Sequence, residues 1–466
     1  MLKSVVYSNR VKIYWDFIKG YDESHVFEIT CGENVYKTNQ FHYAFYSLEY
    51  ETNYVFKVKY FNKKGVLLRD LGEIVVKTLK QKRVIDVTKS PYNAVGDGVT
   101  LNTKALQQAI NDCTKDELVY FPSGVYLTGG LDLKSNIEIY LDDDAVLQGS
   151  DKCKDYLPKI NSRFEGNDVL AYRSLLNAGV MDSKSGPNCE NIIIYGGKIL
   201  GGGASLRKDT INTEKEIIIK ENGLENHPNP PGFYSSILPG RRRGRTMHFT
   251  NVKNVIIADC ETGNAPAWNL HFIYCENVVT CDCKIVSHAI SNGDGWDPDS
   301  SKNCTIFGVT FDTGDDCVAI KSGKNLEGYL IGRPSEDITI FDCYAIDGYG
   351  IGVGSELSGG IRNINIYNVH FLSRKGGSFL VKYTKKRGGV IENFNVNHCS
   401  FTDVSIAYYT INDDGEPAPV YPKARNFYFN DIKIAGIMYF TKGNRALLKA
   451  GITMQGYEGE HCIENV

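Results

Sequence analysis

Apolar and polar residues alternate with period two through most of this chain, the pattern of strands that bury one face. In the first eighty residues it recurs in Val11-Lys12-Ile13-Tyr14-Trp15, Val26-Phe27-Glu28-Ile29-Thr30, Tyr54 to Tyr60 and Val75-Val76-Lys77-Thr78. Short alternating strands of this kind predict a small β-sandwich over residues 1–80. A basic joint, Lys80-Gln81-Lys82-Arg83, follows, and a second domain is expected over 83–466. Near its start, residues 102–110 read as a short helix with Asn102 as the N-cap, and Phe121-Pro122-Ser123-Gly124 reads as a turn into a strand.

Beyond that point one unit repeats. Lys253-Asn254-Val255-Ile256-Ile257, Glu276-Asn277-Val278-Val279-Thr280, Lys302-Asn303-Cys304-Thr305-Ile306, Glu336-Asp337-Ile338-Thr339-Ile340, Arg362-Asn363-Ile364-Asn365-Ile366 and Glu392-Asn393-Phe394-Asn395-Val396 are its variants. Repeats of a few tens of residues mark a solenoid, whose insertions emerge as loops. Six residues after each Asn or Asp stand Cys260, Cys283, Val309, Cys343, Val369 and Cys399. A register holding only Cys and Val suits an inward ladder of small apolar side chains. The expected fold class is therefore all-β, a right-handed parallel β-helix preceded by a small β-sandwich.

Bulk properties narrow the functions. A net charge of -3 gives no global field for nucleic acid or an anionic membrane, and no run approaches a membrane span. The opening residues carry no apolar signal core, so a cytoplasmic location is expected. The 13 cysteines show no paired zinc spacing and read as reduced core residues. Oligomeric state is not legible at this level.

Candidate chemistry concentrates in Ser291-Asn292-Gly293-Asp294-Gly295-Trp296-Asp297-Pro298-Asp299 and Thr313-Gly314-Asp315-Asp316-Cys317. The 21 residues between Asp294 and Asp315 match about one coil, which would stack them on neighbouring strands about 4.8 Å apart. Crowded carboxyls cannot all ionise easily, so one keeps a proton and can act as acid while another activates water, as glycosidic hydrolysis requires. Asp297 and Asp299 also fit ordinary Asx-turn chemistry. Asp-rich loops can hold calcium, but no metal or other cofactor is expected here.

These blocks, with Gly314 to Gly323, Gly332-Arg333-Pro334-Ser335-Glu336 and Gly352-Val353-Gly354-Ser355-Glu356, resemble glycoside hydrolase family 28, the polygalacturonases and their relatives, over residues 83–440. The bacterial exo-acting branch is the nearest likeness, and residues 1–80 resemble a fibronectin type III module. The resemblance implies inverting hydrolysis with Asp315 as general acid, Asp294 and Asp316 handling water, and Asn292 bonding the sugar or orienting a carboxylate. Two positions depart from the family pattern: Tyr349 stands where a His is usual, and Leu380-Val381-Lys382 keeps Lys382 but replaces an Arg that grips uronate carboxylates. Arg387, beside Lys385 and Lys386, is a candidate replacement cation. Arg241 to Arg245 could line an anionic cleft, His271 is a candidate cleft residue, and Trp268 is either a stacking platform or packing. Leu200 replaces an Asp at the far end. The expected substrate is a galacturonate-containing pectic oligosaccharide attacked from an end. A rhamnogalacturonan-derived oligosaccharide, a β-helical lyase and a non-catalytic carbohydrate-binding solenoid remain as alternatives.

Overall fold

The structure, a computed structural model, describes all residues except 222, 224–238, 289, 373–377, 410–413, 441–445, 450 and 457–461, and the backbone alone over the rest of 437–450. Residues 2–77 form a sandwich of a three-stranded and a four-stranded antiparallel sheet. Its core holds Trp15, Phe27, Ile29, Phe56 and Val58, the inward residues of the alternating strands.

The remainder is a right-handed parallel β-helix. Among the described residues, one sheet of 19 strands wraps two sides, and a sheet of 10 strands forms the third. Typical coils contribute Val252–Ala258 and Glu261–Gly263 to the first and Leu270–Ile273 to the second. The interior is a continuous column of Val, Ile, Leu, Phe and Cys, in which Cys260, Cys283, Val309, Cys343, Val369 and Cys399 are all buried.

The repeated Asn has a physical cause. Asn254, Asn277, Asn303, Asp337, Asn363 and Asn393 all have φ between 53° and 62°, the left-handed region that Asn tolerates best after glycine. Their amides also bond from coil to coil: Asn277 Nδ2 donates to Asn254 Oδ1 at 2.9 Å, and Asn393 Nδ2 donates to Asn363 Oδ1 at 3.1 Å. The Asn repeats thus supply both the bend and one rung of a side-chain ladder, while Asp337 supplies the bend and accepts from Asn363 Nδ2 at 3.0 Å.

A second left-handed corner carries Asp259, Asp282, Gly308, Asp342 and Asn368 on successive coils. The sandwich docks on this acidic row. Lys12, fully buried, pairs with Asp259 and Asp282, and His42 lies between Asp282 (Nε2 to Oδ1, 2.9 Å) and Asp342 (Nδ1 to Oδ2, 2.7 Å). Gly308 makes room for that imidazole, because a Cβ there would fall 3.0 Å from His42 Nε2 and 2.1 Å from Asp282 Oδ1. Tyr14 stacks on Phe307 and Phe341 beside the charges.

One expectation changes. The helix spans Thr103–Asp112, but Asn102 does not cap it through its side chain; the amide instead bonds both backbone groups of Val95.

Candidate active site

The site lies on the outer face of the 10-stranded sheet. Along Trp296–Asp299, Trp296 and Pro298 face the core, so Asp297 and Asp299 face out. Trp296 pairs with Val318, an offset of 22 residues, and Gly295 N donates to Asp316 O at 2.9 Å. Asp294 therefore neighbours Asp316 directly, with Asp315 one position earlier, which corrects the stacking expected from the 21-residue spacing. All three still converge on adjacent coils.

Two lysines organise them. Lys382 Nζ donates to Asp316 Oδ2 at 2.8 Å, and Lys321 Nζ donates to Asp294 Oδ2 at 3.1 Å. Among the described residues Asp315 has no ammonium at ion-pair distance; its Oδ1 accepts the amide of Asp316 at 3.0 Å. Burial, followed by the charges of Asp294 and Asp316, pushes Asp315 up to about 7. Burial also raises Asp294, against the pull of Lys321. The trio thus holds one carboxyl able to keep its proton near neutrality and two carboxylates with ammonium partners, the division of labour that acid–base hydrolysis needs. Gly352 is required beside them, since a Cβ there would meet Asp316 Oδ2 at 2.4 Å.

The other candidates separate. Asn292 Oδ1 accepts from the buried Arg243 at 2.9 Å, and Arg243 also holds Ser291 O at 3.2 Å and Pro266 O at 3.1 Å, so this arginine fixes the loop that delivers Asp294. Tyr349, 37% exposed, stands at the cleft with its amide bonded to Asp315 O at 3.0 Å. Leu380 pairs in register with Gly352 on the outward row next to Lys382. Arg387 is a correction: it is fully buried, donating to Ser355 O at 2.6 Å and to Asn325, and does not replace the missing cation in the cleft.

His271 is a second correction. It is fully buried, 3.6 Å from Asp299 Oδ2 and beneath Trp268, and burial brings it down to about 3. What covers it is a hairpin, Ile160–Phe164 with Asn167–Ala171, that the repeat pattern does not announce. Phe164 stacks on Trp268 at 4.6 Å, Arg163 reaches Asp299 at 3.3 Å and Tyr274, and Ser162 Oγ lies 3.0 Å from His248 Nε2. Glu165, at the tip, accepts from Arg241 at 3.2 Å. Trp268 is therefore packing, 3% exposed, and the hairpin lies over the outer face of the sheet one coil before Asp294. Residues that sequence reasoning passed over as site elements are Lys321, Arg163 and this hairpin. The signal for Lys321 was its outward parity on the coil of Asp316. Among the described residues, no group of three or more His, Cys, Asp or Glu side chains is arranged to hold a metal ion.

The model of glycosyl hydrolases family 28 matches residues 234–464, across all three aspartates. The chain belongs to glycoside hydrolase family 28. A second model, rhamnogalacturonase A/epimerase, pectate lyase-like, matches residues 85–306. The chain is 29% identical over 330 residues to the exo-poly-alpha-D-galacturonosidase of Dickeya chrysanthemi, covering 67% of this chain and 54% of that one. It thus spans about half the length of that relative. It is 28% identical to the probable polygalacturonase of Vitis vinifera, over 80% of this chain and 72% of that one. The fold is similar to the family 28 exopolygalacturonase of Yersinia enterocolitica (TM-score 0.79, 23% identity, 100% of this chain and 88% of that one). It is also similar to the hyperthermoactive exopolygalacturonase of Thermotoga maritima (TM-score 0.62, 28% identity, 75% and 80%).

Proposed function

We propose that this chain is an inverting, exo-acting hydrolase of galacturonate-containing pectic oligosaccharides. One observation carries the reading: Asp315 holds a proton up to about pH 7 beside two lysine-paired carboxylates, Asp294 and Asp316. In this mechanism Asp315 gives its proton to the glycosidic oxygen as the bond to the anomeric carbon breaks. Asp294 and Asp316 orient a water on the opposite face and take up its proton as the new bond forms. Asn292 and Tyr349 supply hydrogen bonds at the rim. Lys382 provides the cation facing the cleft, with 17% of its side chain exposed.

The hairpin supports exo action. With Phe164 stacked on Trp268 one coil from Asp294, the hairpin stands in the way of a chain passing along the sheet and favours a chain end. Two relatives with exo-acting names, from Dickeya chrysanthemi and Thermotoga maritima, support the same mode.

A second reading keeps the hydrolysis and changes the neighbouring sugar. Leu380, in register with Gly352 and Ser405, puts an uncharged side chain on the outward row where a cation is usual, which suits a neutral residue of a rhamnogalacturonan-derived oligosaccharide. Incubation with defined pectic oligosaccharides, read by mass and anomeric configuration, tests both. Release of single terminal residues with inverted configuration is expected. An ultraviolet-absorbing unsaturated uronate would establish a lyase instead, and binding without cleavage would establish a carbohydrate-binding solenoid.

A further inference from the structure

Of the two lysines that pair with the aspartates, Lys321 is the more deeply buried. It follows Val318–Ile320 on the outward register, bridged to Asp299. Its Nζ lies 3.1 Å from Asp294 Oδ2 and 3.2 Å from Asp297 Oδ1, and 4.2 Å from the centre of the Trp268 ring, on which Phe164 stacks. Only 4% of the residue is exposed. Asp297 is wholly buried, and apart from this ammonium its oxygens have no partner among the described residues. Asp294 shows the complementary asymmetry: Oδ2 faces Lys321, while Oδ1 has no hydrogen-bond partner among the described residues.

We propose that Lys321 is a positioning residue that orients Asp294 and supplies its counter-charge, with Asp297 competing for the same ammonium. One Asp294 oxygen is anchored, which leaves the other, buried oxygen as the one to receive the water proton. Asp297 holds Lys321 from beneath and dilutes its effect on Asp294. The charged and titratable groups facing the ammonium are Asp294, Asp297, Asp299, Asp315, Asp316 and Glu356, with Arg245, Lys382 and His271 opposing. Burial would lower an isolated lysine, yet Asp297 and Asp294 hold Lys321 raised, so it stays charged across the working range. This inference rests on the hydrolase reading for its catalytic consequence, but not for the contact itself.

The test joins kinetics to a titration that needs no turnover. Lys321→Met removes a cation about 3 Å from Asp294, so the acidic limb of kcat/KM moves up by at least about one pH unit. The same variant loses kcat on the order of 100-fold with KM nearly unchanged, while Lys321→Arg recovers the limb. Asp297→Asn moves the limb the other way, because Lys321 then serves Asp294 alone. Infrared titration of the carboxyl band that disappears in Asp294→Asn shows the same two shifts in substrate-free protein. If neither Lys321→Met nor Asp297→Asn moves the limb or that band, the proposal is wrong. Should Lys321→Met fail to fold by circular dichroism, Asp297→Asn and Lys321→Arg decide it by the same readouts. Wild type that releases no sugar refutes the hydrolase reading, whereas the infrared midpoint still decides whether Lys321 governs Asp294.

Discussion

His42 makes the attachment of the sandwich to the β-helix depend on pH. Both ring nitrogens face carboxylates, Asp282 at 2.9 Å and Asp342 at 2.7 Å, an arrangement only the imidazolium satisfies, since it alone donates from both positions. Burial opposes the charged form, but the bonds to Asp282 and Asp342 prevail and raise His42 from 6.5 to about 9. A difference of that size between folded and unfolded states is worth about 3 kcal/mol. The folded value is the higher one, so this stability is fully present below pH 6.5 and is lost as pH rises through 9. The depressed value of Asp282, about 2, reflects the same contacts from the other side together with Lys12, and is counted once. His42→Gln keeps a similar volume without the charge. Urea unfolding followed by Trp15 fluorescence, the tryptophan of the sandwich core, is expected to show wild type more stable than His42→Gln by about 3 kcal/mol at pH 6, with the gap narrowing by pH 9.5. A gap that stays constant between those pH values would refute the reasoning, because it would mean that His42 contributes packing and not charge.

Four further outcomes follow from the geometry. Asp315→Asn lowers kcat by about 10²- to 10⁴-fold in a reducing-sugar assay; in wild type, activity falls as pH rises through about 7, where Asp315 loses the proton it must donate. Gly352→Ala drives a methyl group against Asp316 Oδ2, 2.4 Å from the new Cβ, and reduces kcat on the order of 100-fold while circular dichroism stays native. Leu380→Arg restores a planar cation to the outward row and raises kcat/KM on all-galacturonate oligomers on the order of tenfold, about 1.4 kcal/mol, relative to oligomers with a neutral neighbour. Asn277→Ala breaks two rungs and strains a left-handed residue, lowering unfolding stability by about 2 kcal/mol, whereas Asn277→Gly, which relieves the φ of 58°, loses about half of that.

The solenoid was legible because each coil repeats one physical need. An Asn at a left-handed corner and a Cys or Val facing a narrow interior leave a signature that composition alone lacks. The aspartates were legible for a related reason: Gly295 and Gly314 mark turns that bring backbone and carboxylates close together. Lys321 was not, because a single lysine within Ala319-Ile320-Lys321-Ser322 gains meaning only when stacking sets it beside Asp294. The fates of His271 and Trp268 were hidden for another reason. Outward parity says that a side chain leaves the core, not whether an insertion from a distant coil lies over it. The hairpin comes from residues 160–171, some hundred positions before His271, and carries no repeat of its own. Arg387 likewise reads as part of a surface basic turn, yet its guanidinium turns inward to Ser355 and Asn325.

The bare rung at Gly308 has consequences well beyond its own corner. Every coil of a solenoid resembles the next, so a module laid on its flank could slide by one repeat and meet nearly the same surface. Here a missing side chain works as a keyway, admitting the His42 ring between Asp282 and Asp342. The relative placement of the two units, and with it the distance from the sandwich to the cleft, is indexed by an absence. A side chain introduced at Gly308 would remove the index mark and leave most of the flanking contacts in place, giving mixed alignments along the flank rather than simple detachment.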